Sequence, residues 1–211
     1  MGKPYDKWGN VVIYEGRLGS GTTLAAIVQI VETKPKKLVS NISLTGIKYT
    51  KLGTKTSSSL IDPSKIVGST FLLDTAYTLM DSRVGNTQTN KFWTYLMLQS
   101  IRLNLNFVLT TPRLEYLDKR VRYTMTDLVK TALTPGKRKL HIERTDVLTG
   151  DKMRIVIDKP SMYFSYYPTN SVVDLLDFGT MDQRETILRG LGITLKDTKS
   201  LLKKIDSNVN R

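Results

Sequence analysis

The sequence contains no cysteine and only one histidine, His141. That excludes a disulfide-stapled scaffold, a thiolate zinc site, a cysteine nucleophile and any metal centre built on several histidines. Acidic residues are scarce, with 19 Asp and Glu against 32 Lys and Arg, a net charge of +13. No apolar run approaches the ~18 residues that a membrane span requires. The polar opening MGKPYDKWGN does not read as a secretory leader. The expectation is a cytoplasmic protein with no membrane association.

What is present is enough for a packed domain. With 211 residues, 40% of them hydrophobic, the chain can bury a full core in one unit. The cationic excess favours a polyanionic partner, DNA above all, because each Lys or Arg that neutralises a phosphate releases condensed counterions. The plainer reading of the same excess is a solubilising lysine-rich surface. Between Thr33 and Ile61 there are six lysines and no acid, either a solvated loop or a phosphate-contacting surface.

Apolar runs alternate with helical patterns along the first half. VVIYE (11–15), LVSNISL (38–44), STFLLD (69–74) and NFVLTT (106–111) read as strands. LAAIVQIV (24–31), the segment 75–83 and KFWTYLMLQSIRL (91–103) read as helices, with polar loops at 45–65 and 84–90. This order implies an α/β domain with a mostly parallel sheet. Further on, residues 139–158 form a hairpin pattern around Thr149-Gly150-Asp151. The aromatic stretch 161–174 looks extended, and 181–205 a basic helical tail. Pro135-Gly136 divides an α/β core (1–135) from a hairpin-and-tail portion (136–211) that completes the same domain. Phe92, Trp93 and Tyr95 are expected in the core. Tyr163, Phe164, Tyr166 and Tyr167 suit sheet packing or an interface, and His141 a structural role.

The turn GRLGSGTT lies between the first strand and the first helix. It matches the phosphate-binding pattern G-x-x-x-x-G-K-[ST] at Gly16, Gly21 and Thr23, but Thr22 occupies the lysine position. In that pattern, glycines let backbone N–H groups wrap phosphates, the lysine reaches their oxygens and the hydroxyl holds magnesium. STFLLD has the shape of the companion strand whose terminal carboxylate, here Asp74, holds the magnesium water shell. Thr75 follows it, where a glutamate usually orients the attacking water.

The runs LLDTAYTLMDSR and NKFWTYLMLQSIRLNLNFVLTTPRLEYLDKRVRY resemble the FtsK/HerA-like P-loop ATPases of archaeal viruses and plasmids. Within them the genome-packaging and zonular-occludens-toxin-like ATPases are the nearest in pattern. The resemblance rests on Asp74-Thr75-Ala76, Asp81-Ser82-Arg83, Leu98-Gln99-Ser100, Thr110-Thr111-Pro112 and 117–122, over roughly residues 10–175. It implies a P-loop NTPase-like three-layer fold, with a C-terminal hairpin and basic helical tail. It also implies a nucleotide site at Gly16, Gly19, Ser20, Gly21, Thr22 and Thr23, with magnesium at Thr23 and Asp74.

Departures from the family pattern fall on its catalytic positions: Thr22 for lysine, Thr75 for glutamate and Pro112 for glutamine. Arg102 stands one place beyond the arginine expected after Gln99-Ser100. The resemblance therefore implies a pseudo-ATPase that holds Mg-nucleotide weakly or not at all, with Arg17 the one cation inside the loop able to substitute. Arg113, Lys119, Arg120, Arg122, Lys137, Arg138 and Lys139 form the basic set expected to touch DNA without sequence preference, or to touch neighbouring subunits. The family setting implies a DNA-binding or assembly component of an archaeal virus or mobile element, cytoplasmic or virion-associated. A working packaging ATPase completed by adjacent subunits and a purely structural interaction protein are the two alternatives.

Overall fold

A computed structural model describes residues 9–52, 66–84, 88–168 and 189–192. Its centre is an eight-stranded sheet: β1 (Val11–Glu15), β2 (Leu38–Ser40), β3 (Thr50–Lys51), β4 (Thr70–Leu73), β5 (Asn106–Thr111), β6 (Asp127–Leu133), β7 (Lys139–Asp146) and β8 (Lys152–Asp158). The spatial order is β3-β2-β4-β5-β1-β6-β7-β8. The first six strands in this order run parallel, and β7 and β8 continue the same sheet antiparallel.

Alternation along the central strands makes two cores. Val11, Ile13, Phe71, Leu73, Phe107 and Leu109 face one side. There they meet Phe92, Trp93 and Leu96 of α2 (Gln88–Leu98) and Val121 of α3 (Lys119–Tyr123). Phe71 stacks on Phe107 at 5.1 Å and takes the edge of Trp93 at 5.9 Å, geometries that add to plain area burial. Val12, Tyr14, Leu72, Val108 and Val129 face the other side, against α1 (Thr22–Thr33). Helices on both faces of a mainly parallel sheet are the expected three layers.

Several segments differ from the sequence reading for identifiable reasons. The strand expected over 38–44 stops at Ser40, because Asn41 turns its side chain onto the backbone of Asp74. Residues 75–83 form two short 3-10 turns, Ala76–Thr78 and Ser82–Val84, instead of one helix. Thr75 starts this segment in the left-handed region (φ 55°), which a helix cannot continue. The helix expected at 91–103 begins at Gln88, inside the supposed polar loop, and ends at Leu98. The aromatic stretch is a 3-10 helix over Pro160–Tyr166. Proline pre-sets its first turn, and the three-residue spacing of Tyr163 and Tyr166 puts both rings on the α1 side. β6 had no counterpart in the sequence reading. The basic tail at 181–205 lies outside the described residues except for 189–192.

Candidate functional site

The parallel strands β1, β4 and β5 end side by side, and their C-terminal ends carry the site. Immediately after β1, Gly16 donates its N–H to the Thr111 carbonyl at 3.3 Å, and Ser20 closes a turn onto Arg17 at 2.9 Å. A Cβ at position 16 would strike Ser20 Oγ, and one at 21 would come within 2.8 Å of Leu140 Cδ1. Gly21 also has φ 88°, so both space and backbone conformation require glycine there. Having no side chain, Gly21 leaves the first turn of α1 without a side-chain cap. The N–H groups and positive dipole end of that turn therefore face the loop, an arrangement suited to an anion. Thr131 of β6 braces the loop from outside, its hydroxyl 3.3 Å from Ser20 Oγ.

Asp74, at the end of β4, is buried at 8% exposure and surrounded by hydroxyls. Its Oδ1 accepts from Thr23 Oγ1 at 2.8 Å and from Thr110 Oγ1 at 2.7 Å. Thr75 Oγ1 donates to Oδ2 at a longer 3.4 Å. The Asn41 amide fixes the backbone of Asp74 from both sides, accepting from its N–H at 2.7 Å and donating to its carbonyl at 2.8 Å. Thr110 Oγ1 also accepts the Thr75 N–H at 2.8 Å, which holds Thr75 in its left-handed conformation. Thr110 and Asn41 are thus structural members of the site that sequence reasoning missed. The signal for Thr110 was present, as a hydroxyl at the end of a strand neighbouring the one that carries the acid.

A cavity of about 320 Å³ opens over the loop. Its floor is Gly16, Gly19, Gly21, Thr22 and Thr23; Thr75, Thr110 and Pro112 form one wall, and Leu133, Lys137, Phe164 and Tyr167 the other. Burial raises the Tyr167 phenol above its ordinary value, and the negative charge of Asp74 adds to the shift. Beside this cavity is a second hollow, where Arg17, Arg113 and Lys130 meet Glu15 and Glu115. Glu15 Oε1 accepts the Leu114 N–H at 2.9 Å, which ties the end of β1 to the turn after β5. No side-chain carboxylate stands at Thr75 or Pro112.

The structure brings Gly16, Gly19, Gly21, Thr22, Thr23, Thr75 and Pro112 to one cavity, with Ser20 and Asp74 directly behind it. The basic set does not gather in the same way. Arg113, Lys137 and Arg138 are exposed, on the turn after β5 and the turn between β6 and β7, and Lys139 is exposed at the start of β7. Lys119, Arg120 and Arg122 are half-buried on α3, which Asp118 caps by accepting the Arg120 N–H at 2.8 Å. None of these three lines either hollow. Among the described residues no three or more His, Cys, Asp and Glu cluster as a metal cage, and no helix is long and apolar enough to cross a membrane. The oxygens of Asp74 and Thr23 nonetheless fit magnesium, which retains water and takes few protein ligands when phosphates supply the rest.

Comparison with solved structures gives the architecture its place. The N-terminal domain of zonular occludens toxin from Neisseria meningitidis superposes with a TM-score of 0.57 over 77% of this chain and all of that one, at 14% identity. The genome-packaging NTPase B204 of Sulfolobus turreted icosahedral virus 2, solved with ATP-γ-S, superposes with a TM-score of 0.50. That match covers 69% of this chain and 96% of B204, at 12% identity. The chain has the P-loop NTPase fold. No known family pattern and no curated sequence matches it. At these identities the likeness is one of fold. In that fold Gly16–Thr23 spans the turn between β1 and α1, and Asp74 follows β4 beside it.

Proposed function

We propose that this protein is a P-loop protein that holds Mg-nucleotide without turning it over at a useful rate, and serves as a DNA-binding or assembly component. One observation carries the reading: Thr23 Oγ1 lies 2.8 Å from Asp74 Oδ1 beneath an open glycine loop, while Thr75 and Pro112 form the wall where the reaction would need polar catalytic groups. Thr23 and Asp74 are the residues that would hold magnesium. Bound there, the ion would screen the phosphate charge. Losing a water-positioning carboxylate costs about 10²–10⁴ in rate, so binding outlasts turnover in this arrangement.

The DNA part of the proposal rests on the +13 charge and on the exposed Arg113, Arg138 and Lys139. No element of the described fold presents itself as a recognition helix, so phosphate contacts would dominate, and these position without specifying sequence. The test pairs two measurements on the full chain. Equilibrium binding of the β,γ-methylene analogue of ATP with magnesium should be detectable, while ATP hydrolysis stays at background with and without duplex DNA. Turnover near one per second would refute the reading and favour a working ATPase. Duplex affinity should fall with salt at a log–log slope of about 0.9 per phosphate neutralised. Absence of DNA binding at low salt would remove the DNA half.

A further inference from the structure

We infer that Lys137 supplies the phosphate-contacting cation that Thr22 cannot, reaching the P-loop cavity from the turn between β6 and β7. This rests on the nucleotide-holding reading above and deepens it. Among the described residues, Lys137 is the only charged one lining the cavity over the glycine loop, and no carboxylate lines it. A hollow with uncapped helix N–H groups on its floor and one cation in its wall is complementary to an anion.

The geometry of the turn places this lysine firmly. Gly136 and Lys137 both take left-handed backbone conformations, φ 74° and 55°. Hydrogen bonds close the turn on each side: Lys137 N–H to the Thr134 carbonyl at 3.0 Å, and Lys139 N–H to Thr134 Oγ1 at 2.9 Å. A left-handed lysine costs free energy, and such strain persists where surrounding structure over-determines it. The ammonium rests over the ring of Phe164, 5.2 Å from its centroid. Among the described residues no carboxylate pairs with it. A cation–π rest leaves the ammonium donors available to a phosphate. Leu133 and Leu140, which flank this turn, approach the Gly21 position of the loop, so the turn lies directly beside the glycine loop.

Sequence spacing hides this arrangement because Lys137 lies 115 residues beyond Thr22, in a different supersecondary unit. It also separates Lys137 from Arg138 and Lys139, with which the sequence groups it as a DNA contact.

The test measures binding of two probes with magnesium, the β,γ-methylene ATP analogue and inorganic tripolyphosphate, to the full chain and its variants. Lys137→Ala should weaken both probes about ten- to a hundredfold, the loss of one charge-assisted contact, while the melting temperature of the free protein falls only slightly, by the lost contact with Phe164. In the double variant Thr22→Lys, Lys137→Ala, affinity should return toward that of the natural chain, because a lysine at 22 would serve the same phosphates. If the natural chain binds the probes and Lys137→Ala binds them within twofold, the inference falls while the P-loop reading stands. A loss confined to the nucleotide would place Lys137 at the base or ribose and overturn the phosphate assignment. A loss of DNA binding alone would return Lys137 to the DNA surface. If the natural chain binds neither probe, the nucleotide-holding reading fails and takes this inference with it.

Discussion

Replacing Asp74 by Ala and by Asn should separate what this carboxylate does for the fold from what it does for a ligand. Its Oδ1 accepts two hydroxyl hydrogen bonds, from Thr23 and Thr110, at 2.8 and 2.7 Å, in a site only 8% exposed. Hydrogen bonds to a charged acceptor contribute about 1.5–3 kcal/mol each. Asp74→Ala removes both, but also removes the cost of burying a carboxylate, and the freed hydroxyls can rotate toward other acceptors. The net loss should be about 2–4 kcal/mol, which for a chain of this length lowers the melting temperature by roughly 5–15 °C.

Asp74→Asn keeps an oxygen for both hydroxyls, and its amide can donate to Thr75 Oγ1. It should lie within about 1 kcal/mol of the natural protein in the absence of ligand. The difference appears on adding magnesium and the ATP analogue. At a hundredfold excess over Kd the natural protein should gain about 2.7 kcal/mol, whereas Asp74→Asn should lose the magnesium-dependent part of that gain. Thermal denaturation of the three proteins, with and without each component, reads both effects. An Asp74→Asn protein that retains the full magnesium-dependent gain would refute the metal assignment. An Asp74→Ala protein as stable as Asp74→Asn would show that the carboxylate does not hold these hydroxyls.

Three further outcomes follow from the same site. Thr75→Gly should raise stability by up to about 1 kcal/mol, because a β-branched residue at φ 55° gives up about 1–2 kcal/mol that glycine partly recovers; an unchanged or lower denaturation midpoint would contradict this. The raised Tyr167 phenol contributes stability below its ordinary value near pH 10 that is lost as pH rises through the folded-state value. Tyr167→Phe should therefore flatten the alkaline limb of the stability profile, and identical profiles would sink the assignment. Thr22→Lys places a cation at the positive end of α1, so it should lower the free protein's stability by about 0.3–1 kcal/mol yet tighten the ATP analogue, reversing its sign on ligand addition; a loss of stability that persists at saturation would refute it.

Much of the fold was legible because its central strands carry strong local patterns. β1 and β5 fall where VVIYE and NFVLTT predict, since runs buried on both faces need no alternation to stand out. The proximity of the glycine loop and Asp74 also followed from reading both as turns at strand ends. β6 escaped because only alternate positions, Asp127 and Val129, are buried, and one of these is an acid. Asp127 is tolerated there through its 2.7 Å ion pair with buried Arg144, a partner on β7 that no local pattern announces. Phe164 and Tyr167 were legible as packing residues but not as cavity walls, because that role depends on a 3-10 turn bringing them back over α1. Lys119, Arg120 and Arg122 look like a surface run in sequence, yet α3 half-buries all three by packing toward the face that carries Trp93. Replacing them together would test folding before it tested DNA.

The chemistry of the site is consistent from residue to residue. A lysine at 22 and a glutamate at 75 would bring opposite charges into the cavity, and each would need the ligand or the other to offset its desolvation. Threonine at both positions adds no charge at 22 or 75, and the hydroxyls of Thr23, Thr75 and Thr110 surround Asp74 within the protein itself. The free state is thereby satisfied without metal or nucleotide. Any magnesium must compete with hydrogen bonds already made to a charged acceptor, each contributing about 1.5–3 kcal/mol. A binding site pre-satisfied in this way favours weak, reversible occupancy over tight commitment. With the remaining cation placed on a separate turn, occupancy would also couple the glycine loop to the β6–β7 turn.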